Sequence, residues 1–283
     1  MNTSVEQFDK YGYVVLKGII KEETYKHYID LLKKKGKTQK KQSWTIPDGI
    51  VQNKDFWSII FNEDVLSKMK GVLGEGFKFL QHNDLHYGYS SFAWHRDSIN
   101  RSYDPSFADW QEDKEPYKMV RCGFYFQPRE NNFSLGVLPG SHKMSGLLSK
   151  EEFLQQDKWL SNFQNVIAKL GIEDPLKAKA EWIFTEPGDC IVFDPRLIHT
   201  GSEFEAEKYS IFAAYGIPNQ HFFNHYTYYR HLRYDLEYKN FPKELVAELK
   251  KANLYQEEKK YVESIKGSWV PSKSFAAISK WFT

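Results

Sequence analysis

Hydrophobic and polar positions follow two periods along this chain, and the two-residue period dominates. Tyr11-Gly12-Tyr13-Val14-Val15-Leu16 is a β-branched run behind a glycine, which predicts a strand. From Glu22 to Leu32 the period lengthens, with Tyr25, Ile29 and Leu32 at helical spacing, so an N-terminal helix is expected over about 21–35. Strands return at Phe77 to Ser91, at Tyr117 to Gln127, and at Leu135 to Leu138, where Pro139-Gly140 stops the run. Trp182 to Thr185, Asp189 to Phe193 and Tyr209 to Tyr215 follow, separated by Pro187-Gly188 and by the stretch 195–208. Between these groups, 151–171 reads as a helix with Phe153, Leu154, Trp159, Leu160 and Phe163 on its apolar stripe. Beyond Pro218 the tail reads as helical and polar, dense in Tyr and His between His221 and Tyr238. Many short strands punctuated by Gly and Pro predict a mainly β fold, a sandwich or double-sheet jelly roll with flanking helices, rather than a βαβ fold. No repeat and no linker interrupts the pattern. Residues 1–283 therefore read as a single domain, with 98–116 and 144–180 as lid segments and 219–283 as a helical C-terminal tail.

Composition narrows the function. An apolar content of 41% with 17% aromatics opposes disorder and supplies a large core. Lys and Arg number 39 against 37 Asp and Glu, a net charge of +2 that offers little attraction to phosphate, so no nucleic-acid partner is expected. The Lys-rich run 33–41 reads as a solvated loop rather than as a phosphate patch. No apolar run approaches the roughly 18–20 residues that span a bilayer, and Met1 to Lys10 has no signal-peptide core. Two cysteines cannot build a disulfide framework, and no CxxC is present for zinc. A cytoplasmic protein is expected, with Cys122 and Cys190 as small buried residues of core strands.

The chain has no Gly-rich phosphate loop and no GxSxG, so candidate chemistry rests on its nine histidines and its carboxylates. Residues i and i+2 of a strand share a face, so His-x-Asp can present an imidazole and a carboxylate to one metal. A distant His completes a 2-His-1-carboxylate triad, whose three open positions suit non-haem Fe(II). Two segments have this form, His82-Asn83-Asp84 and His95-Arg96-Asp97. The first continues to His86 on the same face and reads either as a metal face or as the polar lining of a cavity. The second follows Phe92-Ala93-Trp94 and opens the polar stretch 98–116. The distal ligand is plainer: the strand Cys190 to Phe193 ends at Asp194-Pro195-Arg196-Leu197-Ile198-His199, which places His199 before a polar loop. His142 reads as a turn residue, and Trp94 and Trp110 as core residues or pocket walls. His221, His225, Tyr228, Tyr229, Arg230, His231 and Arg233 read as a polar substrate wall or as a tail helix packed on the sheet.

Five pieces occur in order: Phe8-x-x-Tyr11-Gly12-Tyr13-Val14-Val15, His95-Arg96-Asp97-Ser98, Arg121-Cys122-Gly123-Phe124-Tyr125-Phe126-Gln127, Leu138-Pro139-Gly140-Ser141-His142-Lys143, and Pro187-Gly188-Asp189 to His199. Together they resemble the phytanoyl-CoA dioxygenase (PhyH) family of Fe(II)- and 2-oxoglutarate-dependent oxygenases, over about 5–216. The resemblance implies a double-stranded β-helix, a jelly-roll relative. It also implies His95, Asp97 and His199 as ligands of ferrous iron, Fe(2+), in preference to His82-Asn83-Asp84. Co-substrates would be 2-oxoglutarate and O2, and a small-molecule substrate would be hydroxylated at a C–H bond with release of succinate and CO2. In the family an Arg about ten residues after the distal His pairs with the far carboxylate of 2-oxoglutarate, a bidentate match that Lys does not reproduce. Here Glu207-Lys208-Tyr209-Ser210-Ile211 contains none. The candidates for that role are Lys208, as a point charge, and Arg121, on an inward strand face with Gly123, Tyr125 and Gln127. Thr200, Tyr125 and Gln127 complete the expected cofactor-binding set. The alternative is a non-catalytic or decayed β-sandwich that binds a small molecule or carbohydrate on its aromatics.

Overall fold

Alternation along single strands builds two cores on either side of one sheet. The computed structural model describes residues 3–39, 43–90, 93–97, 109–143, 149, 151–152, 155, 160, 164, 166, 170–172, 174–205, 207–232 and 236–258. Its larger sheet contains β1 (Tyr13–Leu16), β2 (Trp44–Pro47), β3 (Lys78–Tyr87), β4 (Met119–Tyr125), β7 (Asp189–Phe193) and β9 (Tyr209–Gly216), in the order β1-β7-β4-β9-β3-β2. The smaller sheet orders β5 (Ser134–Val137), β6 (Glu181–Phe184) and β8 (His199–Gly201) as β6-β5-β8. Every pairing is antiparallel. Neighbours in space are distant in sequence, as in a jelly roll.

Along β7, Cys190 and Val192 face one core while Ile191 and Phe193 face the other. The same split divides β4, where Cys122 and Phe124 point to the first core and Tyr125 to the second. The first core lies under the helices and takes in Tyr28, Leu32, Phe56 and Val65. The second lies between the sheets, with Phe133, Leu135, Val137, Ile183 and Leu197. A strand buried on both faces reads as a continuous apolar run, which is why β4 and β7 stood out in the sequence. Both cysteines are buried free thiols.

Helices α1 (Thr3–Tyr11), α2 (Glu22–Gln39) and α3 (Glu63–Leu73) precede the jelly roll or interrupt it, and α4 (Gln220–Thr227) and α5 (Lys243–Lys251) follow. Asn62 caps α3 by accepting from Val65 N at 3.0 Å, and Asn219 caps α4 by accepting from Phe222 N at 3.1 Å. Gly188, at φ +89°, turns the chain into β7 where a Cβ would stand 2.3 Å from the Ile20 carbonyl oxygen.

Two expectations change, and one stretch gains elements that the sequence did not reveal. The described part of the Lys-rich run is helix, not loop: α2 runs to Gln39, because Lys is a good helix former and Lys33 finds Glu207 at 3.6 Å. The stretch 44–73, unread in the sequence, forms β2, a 3-10 turn Lys54–Ile59 and α3, and buries Ile50, Val51, Phe56, Trp57 and Ile59. The described part of the tail is not continuously helical: α4 passes into a π turn (Tyr228–Leu232), and His221 to Tyr226 are buried. Residues 98–108 of the first expected lid and Phe153, Leu154, Trp159 and Phe163 of the second lie outside the described residues.

Candidate metal centre

His95 lies beside β8. Its N–H donates to the His199 carbonyl and the His199 N–H to the His95 carbonyl, both at 3.0 Å. This bridge brings the two imidazole centroids within 4.3 Å. Asp97, two residues on, falls on the same side. One ligand atom from each of His95, Asp97 and His199 lies within 4.8 Å of the others. Nε2 of His95 is 3.7 Å from Asp97 Oδ1, and Nε2 of His199 is 3.9 Å from Asp97 Oδ2. Each Nδ1–H donates backwards to a carbonyl two residues earlier, His95 to Ala93 at 2.7 Å and His199 to Leu197 at 2.9 Å. A carbonyl can only accept, so these bonds fix the tautomer and leave both Nε2 lone pairs for a metal.

Electrostatics agree with that use. Burial, and then the neighbouring His95, push His199 down to about 4, so it is neutral, the form that ligates. Burial alone would raise Asp97. The charge of Arg121, followed by the imidazoles of His199 and His95, holds it instead at about 2. Two imidazoles and a carboxylate fit the facial donor set of Fe(II). Among the described residues this is the grouping of three such side chains close enough to hold an ion.

The rival motif has another role. Asp84 accepts from Arg121 Nη2 at 2.5 Å, and His82 Nε2 bonds Arg121 Nη1. The same Nη1 is 3.5 Å from Asp97 Oδ2. His86 packs its ring on Phe212 at 4.8 Å, and burial, Lys208 and Arg121 hold it well below the usual imidazole range. The tail adds residues that the sequence marked only by its Tyr and His density. His225 Nε2 meets His82 Nδ1 at 2.9 Å, the Tyr229 ring stacks on His82 at 3.6 Å, and the Tyr229 hydroxyl donates to the Asp97 carbonyl at 3.1 Å.

Lys208 is buried, and its ammonium donates to the Tyr89 carbonyl at 2.9 Å and to Ser210 Oγ at 3.1 Å. It has no carboxylate partner among the described residues, and burial pulls it down to about 7. Phe133 and Tyr125 lie beneath it, at 4.3 and 5.6 Å. The buried Tyr125 hydroxyl has no hydrogen-bond partner among the described residues and reaches into space that Gly123 leaves open. Gln127 donates to Thr185 Oγ1 at 3.0 Å, and Thr200 pairs with Gly136 in the smaller sheet.

Other candidates are structural. His142 bonds the Asp9 carbonyl at 3.3 Å against Gly12, and His221 the Glu115 carbonyl at 3.0 Å. Trp94 packs with Leu138, Leu176 and Ile198. Trp110 lies between Arg96, at 5.2 Å, and Arg196, at 5.4 Å. Arg233 lies outside the described residues.

This fold and donor set define the non-haem iron, 2-oxoglutarate-dependent oxygenases. Residues 8–208 match the model of the Phytanoyl-CoA dioxygenase (PhyH) family, and the chain belongs to that family. Among solved structures, HygX from Streptomyces hygroscopicus with nickel and 2-oxoglutarate bound superposes with a TM-score of 0.56 at 14% identity, over 77% of this chain and 87% of its own. The carbocyclase SnoK from nogalamycin biosynthesis does so with 0.54 at 10% identity, over 77% and 84%. The epimerase SnoN from the same biosynthesis gives 0.51 at 12% identity, over 76% and 81%. At these identities the likeness is one of fold. No curated protein matches the sequence. The expected jelly roll and the expected family are both borne out. No helix among the described residues is long and apolar enough to cross a membrane.

Proposed function

We propose that His95, Asp97 and His199 hold Fe(II), that Lys208 binds the far carboxylate of 2-oxoglutarate, and that the protein hydroxylates a small molecule at a C–H bond. The carrying observation is the convergence of two tautomer-locked Nε2 lone pairs and one ionised carboxylate within 4.8 Å. When bound, ferrous iron and 2-oxoglutarate supply the oxidising chemistry, with O2 consumed and succinate and CO2 released.

The chain's own part is to bind and orient. Arg121 is committed to Asp84 and Asp97. Of the two candidate cations, the one left for a co-substrate carboxylate is therefore Lys208. Ser210, on the same face of β9, presents its hydroxyl beside the ammonium. An anion there would supply the negative charge that the buried ammonium lacks. The unpartnered Tyr125 hydroxyl is a further donor nearby. Hydroxylation is one outcome open to this architecture; an epimerase and a carbocyclase share the fold, so the pose of the substrate selects the reaction. HygX has been solved with hygromycin B and SnoN with nogalamycin RO, which supports a small-molecule substrate here. Two buried free thiols support a reducing, cytoplasmic location.

Anaerobic titration with Fe(II) and 2-oxoglutarate tests this reading. A weak visible charge-transfer band is expected in the wild type, lost in His199→Ala. Absence of the band from the folded wild type overturns the proposal and favours the non-catalytic binding module.

A further inference from the structure

We propose that Arg121 is a positioning residue for the metal-binding carboxylate, a guanidinium bracket shared between Asp97 and Asp84 and locked from behind by the C-terminal segment. The inference rests on the metal site assigned above.

A monodentate carboxylate ligand keeps one oxygen on the metal. Its other oxygen must be held, or the carboxylate rotates. Arg121 is built to hold it. Its side chain is 4% exposed, and Nη1 lies 3.5 Å from Asp97 Oδ2. Left alone with Asp97, a buried guanidinium would close into a tight bidentate pair and compete with the metal for both oxygens. Asp84 prevents that by taking Nη2 at the shorter distance of 2.5 Å. Sharing one cation between two carboxylates leaves Asp97 only loosely engaged.

The rear of the bracket has one consistent proton arrangement. Arginine only donates, so Nη1–H donates to His82 Nε2. The His82 proton then sits on Nδ1 and is donated to His225 Nε2 at 2.9 Å. The His225 proton in turn sits on Nδ1. Tyr229 closes the assembly by stacking on His82 and by donating from its hydroxyl to the backbone carbonyl of Asp97. His225 and Tyr229 belong to α4 and the π turn, beyond residue 208, where the family match ends. The tail thereby fixes both the side chain and the backbone of the carboxylate ligand.

Co(II) binding by the purified full-length protein, followed through its visible d–d spectrum, tests the bracket without turnover. His199→Ala identifies the wild-type signal as the triad's. Arg121→Lys keeps the charge but cannot span two carboxylates and His82. Asp84→Asn keeps the shape and releases Arg121 onto Asp97. Tyr229→Phe removes only the hydroxyl. Arg121→Lys and Asp84→Asn are each expected to lower Co(II) affinity about 10–100-fold and to change the d–d band, with a smaller loss in Tyr229→Phe. If Arg121→Lys does not fold, Asp84→Asn and Tyr229→Phe decide. Wild-type affinity and spectrum in folded Asp84→Asn overturn the bracket while the His199-dependent signal leaves the metal site standing. A wild type whose Co(II) signal is unchanged by His199→Ala overturns the metal site, and the bracket with it.

Discussion

Lys208 shows how one buried side chain can cost stability. Its ammonium is buried with no acidic partner among the described residues, and burial lowers its pKa to about 7. In the unfolded chain the same group stays protonated to about pH 10.4. Between these values the unfolded state holds the extra proton, so stability gains from this group as pH rises through about 7 toward 10. Below about pH 7 the cost of the buried charge is fully present. Lys208→Met is therefore expected to raise the Tm of the metal-free protein at about pH 6 and to raise it less at about pH 9. The same variant should lose 2-oxoglutarate affinity by about 10–100-fold, the worth of a charge-assisted hydrogen bond. Wild-type affinity should itself fall as pH rises above about 7 and the ammonium deprotonates. Calorimetric titration and thermal melts over that pH range check both signs. The sequence marked Lys208 by the absence of an Arg. It did not reveal that Ser210 and the Tyr89 carbonyl hold the ammonium, because the Tyr89 contact depends on how β3 and β9 are paired.

Among the elements, the loop from β7 to β8 decides whether His199 arrives correctly. Arg196 is buried within it, donating to Asp194 through Nη2 at 2.7 Å and through Nε at 3.0 Å, and to Glu112 at 2.6 Å. Its guanidinium lies 3.8 Å over the Tyr117 ring, and its carbonyl accepts from Arg96 Nε at 2.9 Å. Arg196 thus ties Asp194 and residues 112–117 together through its cation and holds the His95-Arg96-Asp97 segment through its backbone carbonyl, one residue before Leu197, whose carbonyl orients His199. Arg196→Ala leaves the buried Asp194 without its main partner and is expected to cost about 3–5 kcal/mol in urea unfolding. A cost under about 1 kcal/mol would show that the network is not what holds the loop. The strand around this loop was legible because β7 is apolar on both faces. The network was not, since nothing local couples Arg196 to Glu112.

At the scale of the molecule, the region that resembles the family and the region that folds are not the same. The resemblance carried the jelly roll, but α5 extends the first core and α4 builds a further apolar cluster against β3 and β4. Phe222 and Tyr226 pack with Leu80 and Met119, Leu245 and Leu249 are buried in the first core, and the Leu254 carbonyl accepts from Phe79 N at 2.9 Å. Each such side chain contributes about 1.5–3 kcal/mol on burial. Together they rival the roughly 5–15 kcal/mol net stability of a domain. Truncation after Pro218 is therefore expected to leave a chain without a cooperative melt and open to limited proteolysis, although His95, Asp97 and His199 are all retained. A truncated protein that melts cooperatively near the wild-type Tm would refute this.

What the sequence determined by itself is what lies in local order: the strands, from period-two alternation and Gly-Pro punctuation, and the ligand types, from His-x-Asp spacing and a His at a strand end. These need only the geometry of one strand. The tertiary structure decided everything that requires two distant segments to meet. It placed His95 against His199 through a single antiparallel bridge, and it turned His82-Asn83-Asp84 toward Arg121. It also brought Tyr229 from the tail to the Asp97 backbone. Two identical tripeptide patterns carry the same local information, and only the pairing order of the strands brings one to His199 and the other to Arg121.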